Sequence, residues 1–248
     1  MVDAGRGFLS DMRWHPARLA GMVLLAGRHD VGRFQPDLFD ALQIVCPASL
    51  VDATPRRLAE FLAGRAVAKV ALALIGARQD DIVIGADRRP CWPAGVAGSI
   101  SHARGHMACL VGTADRGHPG IDIETITGGQ ALAAISKIAL TEADRMGIAG
   151  LPDSAAARVA TLVFSGKEAL FKALFPMVGR HFGFAAAELV GLPDATSLTL
   201  RLTQGLAPDL PEGALFRLQW HATGLHVMTW LVAGQTHVAL GNGPVSAG

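Results

Sequence analysis

Two carboxylates alternate with two isoleucines in Gly120-Ile121-Asp122-Ile123-Glu124. A period of two over such a run fits a strand with one buried face. The pattern turns Ile121 and Ile123 into a core and sets Asp122 and Glu124 side by side on a solvent-facing side. Like charges so close repel unless a proton or a cation sits between them. A hard divalent ion such as Mg²⁺ answers that need, because it takes oxygen ligands and keeps positions for water or phosphate. A solvated strand face with two acids is the competing reading, and the strand alone does not separate the two.

The rest of the chain is built to bury such a strand. Of its 248 residues, 50% are hydrophobic and 17% charged, enough for one large domain or two small ones and against disorder. The net charge of +1 provides no global field for nucleic acid, so any anion site must be local. The three cysteines, Cys46, Cys91 and Cys109, show neither zinc nor disulfide spacing, which fits a reduced cytoplasm. Arg13 and Arg18 ahead of an apolar run at 19–27 faintly resemble a signal peptide. The basic segment is too long and carries Asp3 and Asp11, so a buried strand through Met22-Val23-Leu24-Leu25 is expected instead. The apolar run 66–77 is interrupted by Lys69 and is too short for a membrane span.

Thr54 as cap, Pro55 at the first position and Gly76 at the end predict a long helix with Leu58, Phe61, Leu62, Val70 and Leu74 on its apolar stripe. Arg57 and Arg65 fall about 80° apart around its axis, on one side. They mark either a wet basic face or an anion site. Ile82-Val83-Ile84 reads as a short strand, followed by a stiff loop with two prolines and the adjacent Arg88 and Arg89. Guanidinium groups beside a rigid turn match phosphate oxygens. Gly98-Ser99-Ile100-Ser101-His102 alternates again and places a hydroxyl and an imidazole at a strand end. No G-x-S-x-G elbow accompanies them, and His102 and His106 form no zinc pattern. Met107 to Val111 reads as the partner strand.

Beyond Gly128-Gly129 a short helix through Leu132, Ile135 and Ile138 is expected. A second long helix should run from Asp153 or Ser154 to about Leu174, ahead of Pro176. It carries Lys167, Glu168 and Lys172. Either Glu168 and Lys172 are an i, i+4 pair on a wet face, or Glu168 is the third carboxylate beside Asp122 and Glu124 while Lys167 and Lys172 meet phosphate. Strand-like runs at 198–202, 215–220 and 227–232 close the chain. The order is α+β. The layout, long helix, strands, long helix, strands, predicts two α+β halves, although no sequence repeat is detectable. The halves would be 1–118 and 119–248, the second holding the metal-binding motifs, with a ligand cleft between them.

Four stretches together resemble the 4′-phosphopantetheinyl transferases of the larger, surfactin-synthetase type, in the branch typified by enterobactin synthase component D. They are Glu60-Phe61-Leu62-Ala63-Gly64-Arg65, Trp92-Pro93 leading into Gly98 to His102, Gly120 to Glu124, and Phe164-Ser165-Gly166-Lys167-Glu168-Ala169-Leu170-Phe171-Lys172. They cover most of 54–175, in family order. The resemblance implies two similar α+β halves in a pseudo-twofold arrangement, each with a long helix packed on a small, mainly antiparallel sheet, and coenzyme A in the cleft between them, with its phosphopantetheine moving to a serine of an apo acyl or peptidyl carrier protein and adenosine 3′,5′-bisphosphate released. It implies Mg²⁺, or Mn²⁺, on Asp122, Glu124 and Glu168. Ser101 and Lys172 would meet the pyrophosphate, and His102 the 3′-phosphate region. Arg57, Arg65 and Arg88 or Arg89 would bind phosphates, and Glu168 or a metal-held water is the candidate base. Some relatives carry a lysine where this chain has Asp87, so both loop arginines remain candidates. The resemblance further implies a cytoplasmic monomer serving siderophore, polyketide or fatty acid synthesis, with no nucleic-acid partner and no membrane insertion. A coenzyme A- or nucleotide-binding protein without catalysis is the alternative.

Overall fold

A computed structural model describes residues 7–15, 21–78, 81–87 and 89–234. The first sheet has four antiparallel strands in the order β1-β2-β4-β3: β1 (Leu9–His15), β2 (Met22–His29), β3 (Val96–Ala103) and β4 (His106–Thr113). Between β2 and β3 come the short α1 (Leu38–Ala41) and the long α2 (Pro55–Leu74). The second sheet runs β5-β9-β8-β7-β6, all antiparallel: β5 (His118–Thr125), β6 (Ala187–Leu189), β7 (Ser197–Leu202), β8 (Leu215–Thr223) and β9 (His226–Ala233). Between β5 and β6 lie α3 (Gly129–Ala139), α4 (Glu142–Ile148) and the 26-residue α5 (Asp153–Val178). The architecture is α+β with two antiparallel sheets, as the order of elements predicts. Among the described residues no helix is long and apolar enough to cross a membrane.

Alternation along the strands builds the layers. In β4, Met107, Cys109 and Val111 join the core under α2, while Ala108 and Leu110 face the other way. There they meet Met22 and Leu24 of β2, Ile121 and Ile123 of β5, and Met228 and Trp230 of β9. The two sheets thus share one apolar core, and each side chain wholly buried there contributes about 1.5–3 kcal/mol. A third cluster joins α5 to β7, β8 and β9.

Helix α2 begins as its sequence dictates, with Thr54 Oγ1 accepting the Arg57 N–H at 3.3 Å and Pro55 at the first position. Two sequence expectations change. Ile82-Val83-Ile84 is not a strand: only an isolated bridge forms, between Ile84 and Pro90, and the Ile82 carbonyl accepts from Arg65 Nε at 2.6 Å. Helix α5 also passes through Pro176 to Val178 before Gly179 caps it in the left-handed region at φ 69°. A proline this close to the end removes only one helical hydrogen bond, and the glycine sets the stop.

The two sheets meet edge to edge where the carboxylate strand lies. Strands β3 and β5 form no backbone ladder. Instead the hydroxyls of Ser99 and Ser101 accept the N–H groups of Ile121 and Ile123, each at 3.2 Å. On the face away from the shared core, α5 lies against β5 at Gly120. A Cβ there would collide with the Ala169 carbonyl oxygen and stand 2.9 Å from the Ala173 nitrogen. Only glycine allows this approach, which carries the Glu168 and Lys172 side of α5 to Asp122.

Candidate active site

The carboxylate strand is not wet on its second face. Asp122 is 4% exposed, buried under α5 and against the β3 edge. Lys172 Nζ donates to Asp122 Oδ1 at 2.7 Å, to the Ile121 carbonyl at 3.0 Å and to Ser101 Oγ at 3.2 Å. Ser101 Oγ in turn donates to Asp122 Oδ1 at 3.0 Å. Lys172 is therefore the ion-pair partner of Asp122 rather than of Glu168 one turn back. Glu124 and Glu168 are half-buried and close enough to this pair to feel both of its charges. Burial pushes the Glu124 carboxyl up to about 7, helped by the charges of Asp122 and Glu168 and opposed by Lys172. Burial also raises Glu168, with Asp122 adding to it. The three carboxylates are close enough to raise one another's proton affinity, with one lysine to offset them.

This cluster has the chemistry of a hard-cation site. Its donors are all carboxylate oxygens, and Asp122 Oδ2 is buried with no hydrogen-bond partner. Burial favours the protonated form of Glu124, and a divalent ion would displace that proton. Among the described residues no three acidic, histidine or cysteine side chains already stand together as a ligand shell. The charge is gathered, and the coordination sphere is not closed.

A cleft of about 480 Å³ leads away from Lys172 between α2, the 89–98 loop and the start of β5. Among the described residues its ionisable lining consists of Arg57, Glu60, Arg65, Arg89, His102, His118 and Lys172, four permanent cations against one carboxylate. Arg65 comes from the buried side of α2, its guanidinium 4.7 Å from the Phe61 ring centre. Burial lowers its pKa to about 10, which leaves it charged at neutral pH. Arg89 is drawn back by Asp87, whose Oδ2 accepts from Nε at 2.6 Å, and lies 4.8 Å over Phe175. Arg88 lies outside the described residues, so the choice between the loop arginines rests on Arg89 alone. The cations spread along the cleft match a ligand with several separated phosphates.

Two expected contacts fall elsewhere. Lys167 is 3% exposed and does not reach the cleft. Its Nζ donates to Asp144 Oδ2 at 2.5 Å and to the Ala139 carbonyl at 2.9 Å, joining α5 to α3 and α4. Lys167 and Lys172 are five residues apart, about 140° around a helix, so they cannot share a face. Ser101 is 6% exposed, and its donor and both acceptor positions are taken by Asp122, Ile123 and Lys172. It fastens β3 to β5 rather than offering a hydroxyl to the cleft. Ser99 and Asp144 escaped the sequence reading. Ser99 has a legible signal, the same strand face as Ser101. Asp144 has one in the Thr141-x-x-Asp144 capping box, both halves of which form.

The chain belongs to the 4′-phosphopantetheinyl transferase superfamily. The description of that superfamily matches residues 119–225, and that of the 4′-phosphopantetheinyl transferase N-terminal domain matches 47–112. Among curated proteins, enterobactin synthase component D of Salmonella typhi is 33% identical over 180 residues, 72% of this chain and 73% of that protein. The 4′-phosphopantetheinyl transferase Svp of Streptomyces mobaraensis is 36% identical over 160 residues, covering 62% of this chain and 63% of Svp. The 4′-phosphopantetheinyl transferase PptT of Mycobacterium tuberculosis is 33% identical over 159 residues, 62% and 67% of the two chains. The chain thus spans about two thirds of the length of these relatives.

Proposed function

We propose that this chain transfers 4′-phosphopantetheine from coenzyme A to the serine hydroxyl of an apo acyl or peptidyl carrier protein, releasing adenosine 3′,5′-bisphosphate. The observation that carries the reading is the junction of the cation-lined cleft with the Asp122–Lys172 pair, flanked by Glu124 and Glu168. Arg57, Arg65, Arg89 and His102 bind and orient the coenzyme A phosphates along the cleft. Lys172, at the inner end, faces the pyrophosphate. Glu168, whose carboxyl burial makes more basic, takes the proton of the acceptor serine as its oxygen attacks the phosphorus next to pantetheine. The bond from that phosphorus to the bridging oxygen breaks, and the charge left on the nucleotide is met by Lys172. Asp122, Glu124 and Glu168 would hold Mg²⁺ or Mn²⁺, which supplies neutralisation of the phosphate charge.

We further assign residues 1–118 and 119–248 to two halves, supported by the separate sheets on either side of the turn at 114–116. We place the chain in the cytoplasm as a monomer. The kinship with enterobactin synthase component D supports service to a nonribosomal, siderophore-type pathway.

Release of adenosine 3′,5′-bisphosphate from coenzyme A should require both an apo carrier protein and a divalent ion. Excess EDTA should stop it, and added Mg²⁺ or Mn²⁺ should restore it. Full activity in EDTA removes the metal assignment. Coenzyme A binding with no release on any carrier supports the non-catalytic alternative.

A further inference from the structure

Among the described residues Glu60 is the one carboxylate lining the cation-lined cleft, and the reaction described above gives it no role. Its side chain is 14% exposed. Oε1 accepts from Arg56 Nε at 3.0 Å, and Oε2 lies 3.8 Å from His102 Nδ1. On the far side of the imidazole, Arg57 Nη1 stands 3.3 Å from Nε2. A guanidinium only donates, so Nε2 accepts and the ring proton of the neutral form sits on Nδ1, facing Glu60. The ring is thus held between a donor on one edge and a carboxylate on the other, both from α2.

We propose that Glu60 is the positioning residue that turns His102 into the 3′-phosphate ligand of the cleft. The inference rests on the coenzyme A reading above. A phosphate entering between Arg57 and His102 takes over the Arg57 donor. It then needs a donor from Nε2, and the ring must carry a proton on both nitrogens. The charged groups around the ring are Glu60 and Arg57 on α2, Lys172 on α5 and Asp122 on β5, with His29 on β2 also near and held neutral by burial. Arg57 and Lys172 oppose a second proton, as does burial. Asp122 is already bound to Lys172. Glu60 is the carboxylate left to balance an imidazolium and to fix its Nδ1 edge, a carboxylate–histidine arrangement that orients the other nitrogen.

The test uses the full chain and its carrier protein, with Glu60→Gln and Glu60→Ala, each checked for an unchanged melting temperature. Both variants should raise KM for coenzyme A by about tenfold, the scale of one charge-assisted hydrogen bond, with kcat within about threefold of the parent. KM for dephospho-coenzyme A should stay within about twofold, because no 3′-phosphate is present to lose the contact. Calorimetry should show the same split between adenosine 3′,5′-bisphosphate and adenosine 5′-monophosphate, independently of turnover. Arg56→Ala, which removes only the helix-surface pair, should keep the parent's preference. Equal losses for both nucleotides overturn the proposal, as does an Arg56→Ala variant that reproduces the Glu60 effect. A parent chain that does not distinguish the two nucleotides overturns it differently, since the failure then lies in the phosphate reading of His102.

Discussion

Lys167→Met should destabilise the folded chain by about 3–5 kcal/mol, the usual result of removing one partner from a buried ion pair. Asp144 is 1% exposed and would be left with only backbone donors, Thr141 N–H at 2.8 Å and Leu189 N–H at 2.6 Å. Burial already pushes the Lys167 pKa down, and Asp144 holds it up, so the pair stands or falls together. A folded domain has only about 5–15 kcal/mol to lose, so the variant should melt far earlier. Adding Asp144→Asn should recover part of the loss, since the orphaned charge is then removed. Urea denaturation of the two variants measures both effects. KM for coenzyme A should be that of the parent in whatever protein remains folded. An unchanged denaturation midpoint with a raised KM would return Lys167 to the phosphates and contradict the geometry.

Glu168→Gln should leave the fold and coenzyme A binding nearly intact and reduce turnover by about 10²-fold or more, the scale of positioned general-base catalysis. The amide keeps the shape of the carboxylate and loses its charge and basic oxygen. Its stability effect should be small and favourable, because burial and Asp122 both disfavour the charged form of Glu168. Opposite signs for stability and activity identify a group held in an unfavourable ionisation state for use. Turnover at saturating Mg²⁺ together with a melting curve tests both. Activity within a few-fold of the parent would take Glu168 out of the site and leave Asp122 and Glu124 without a third carboxylate.

Local rules carried much of this structure. The Thr54-Pro55 start, the β5 alternation and the three late strands are written in short windows of sequence, where capping and periodicity act. For Glu168 the sequence left two readings open, a wet partner of Lys172 or a third carboxylate beside Asp122 and Glu124, and only the pairing of Lys172 with Asp122 argues against the first. What remained hidden is long-range. Asp122 reads as wet because alternation gives the side of a strand, not what covers it, and Gly120 admits α5 to that side. Lys167 reads as a companion of Lys172 until the helix angle between them is combined with the position of Asp144 on α4. Ser101 reads as a ligand contact because a hydroxyl beside a histidine suits phosphate. Its engagement follows from the edge-to-edge contact of β3 with β5, which no local pattern encodes. Pro176 marks a stop by propensity, yet near a C-terminus a missing N–H matters little.

Intact-mass measurement of an apo carrier protein, incubated with the chain, coenzyme A and Mg²⁺, tests the central claim most directly. The account predicts one added phosphopantetheine per carrier, none on a carrier whose acceptor serine is replaced by alanine, and none with Glu168→Gln over the time in which the parent reaches completion. An unmodified carrier in the presence of tightly bound coenzyme A, across acyl and peptidyl carriers alike, would contradict it.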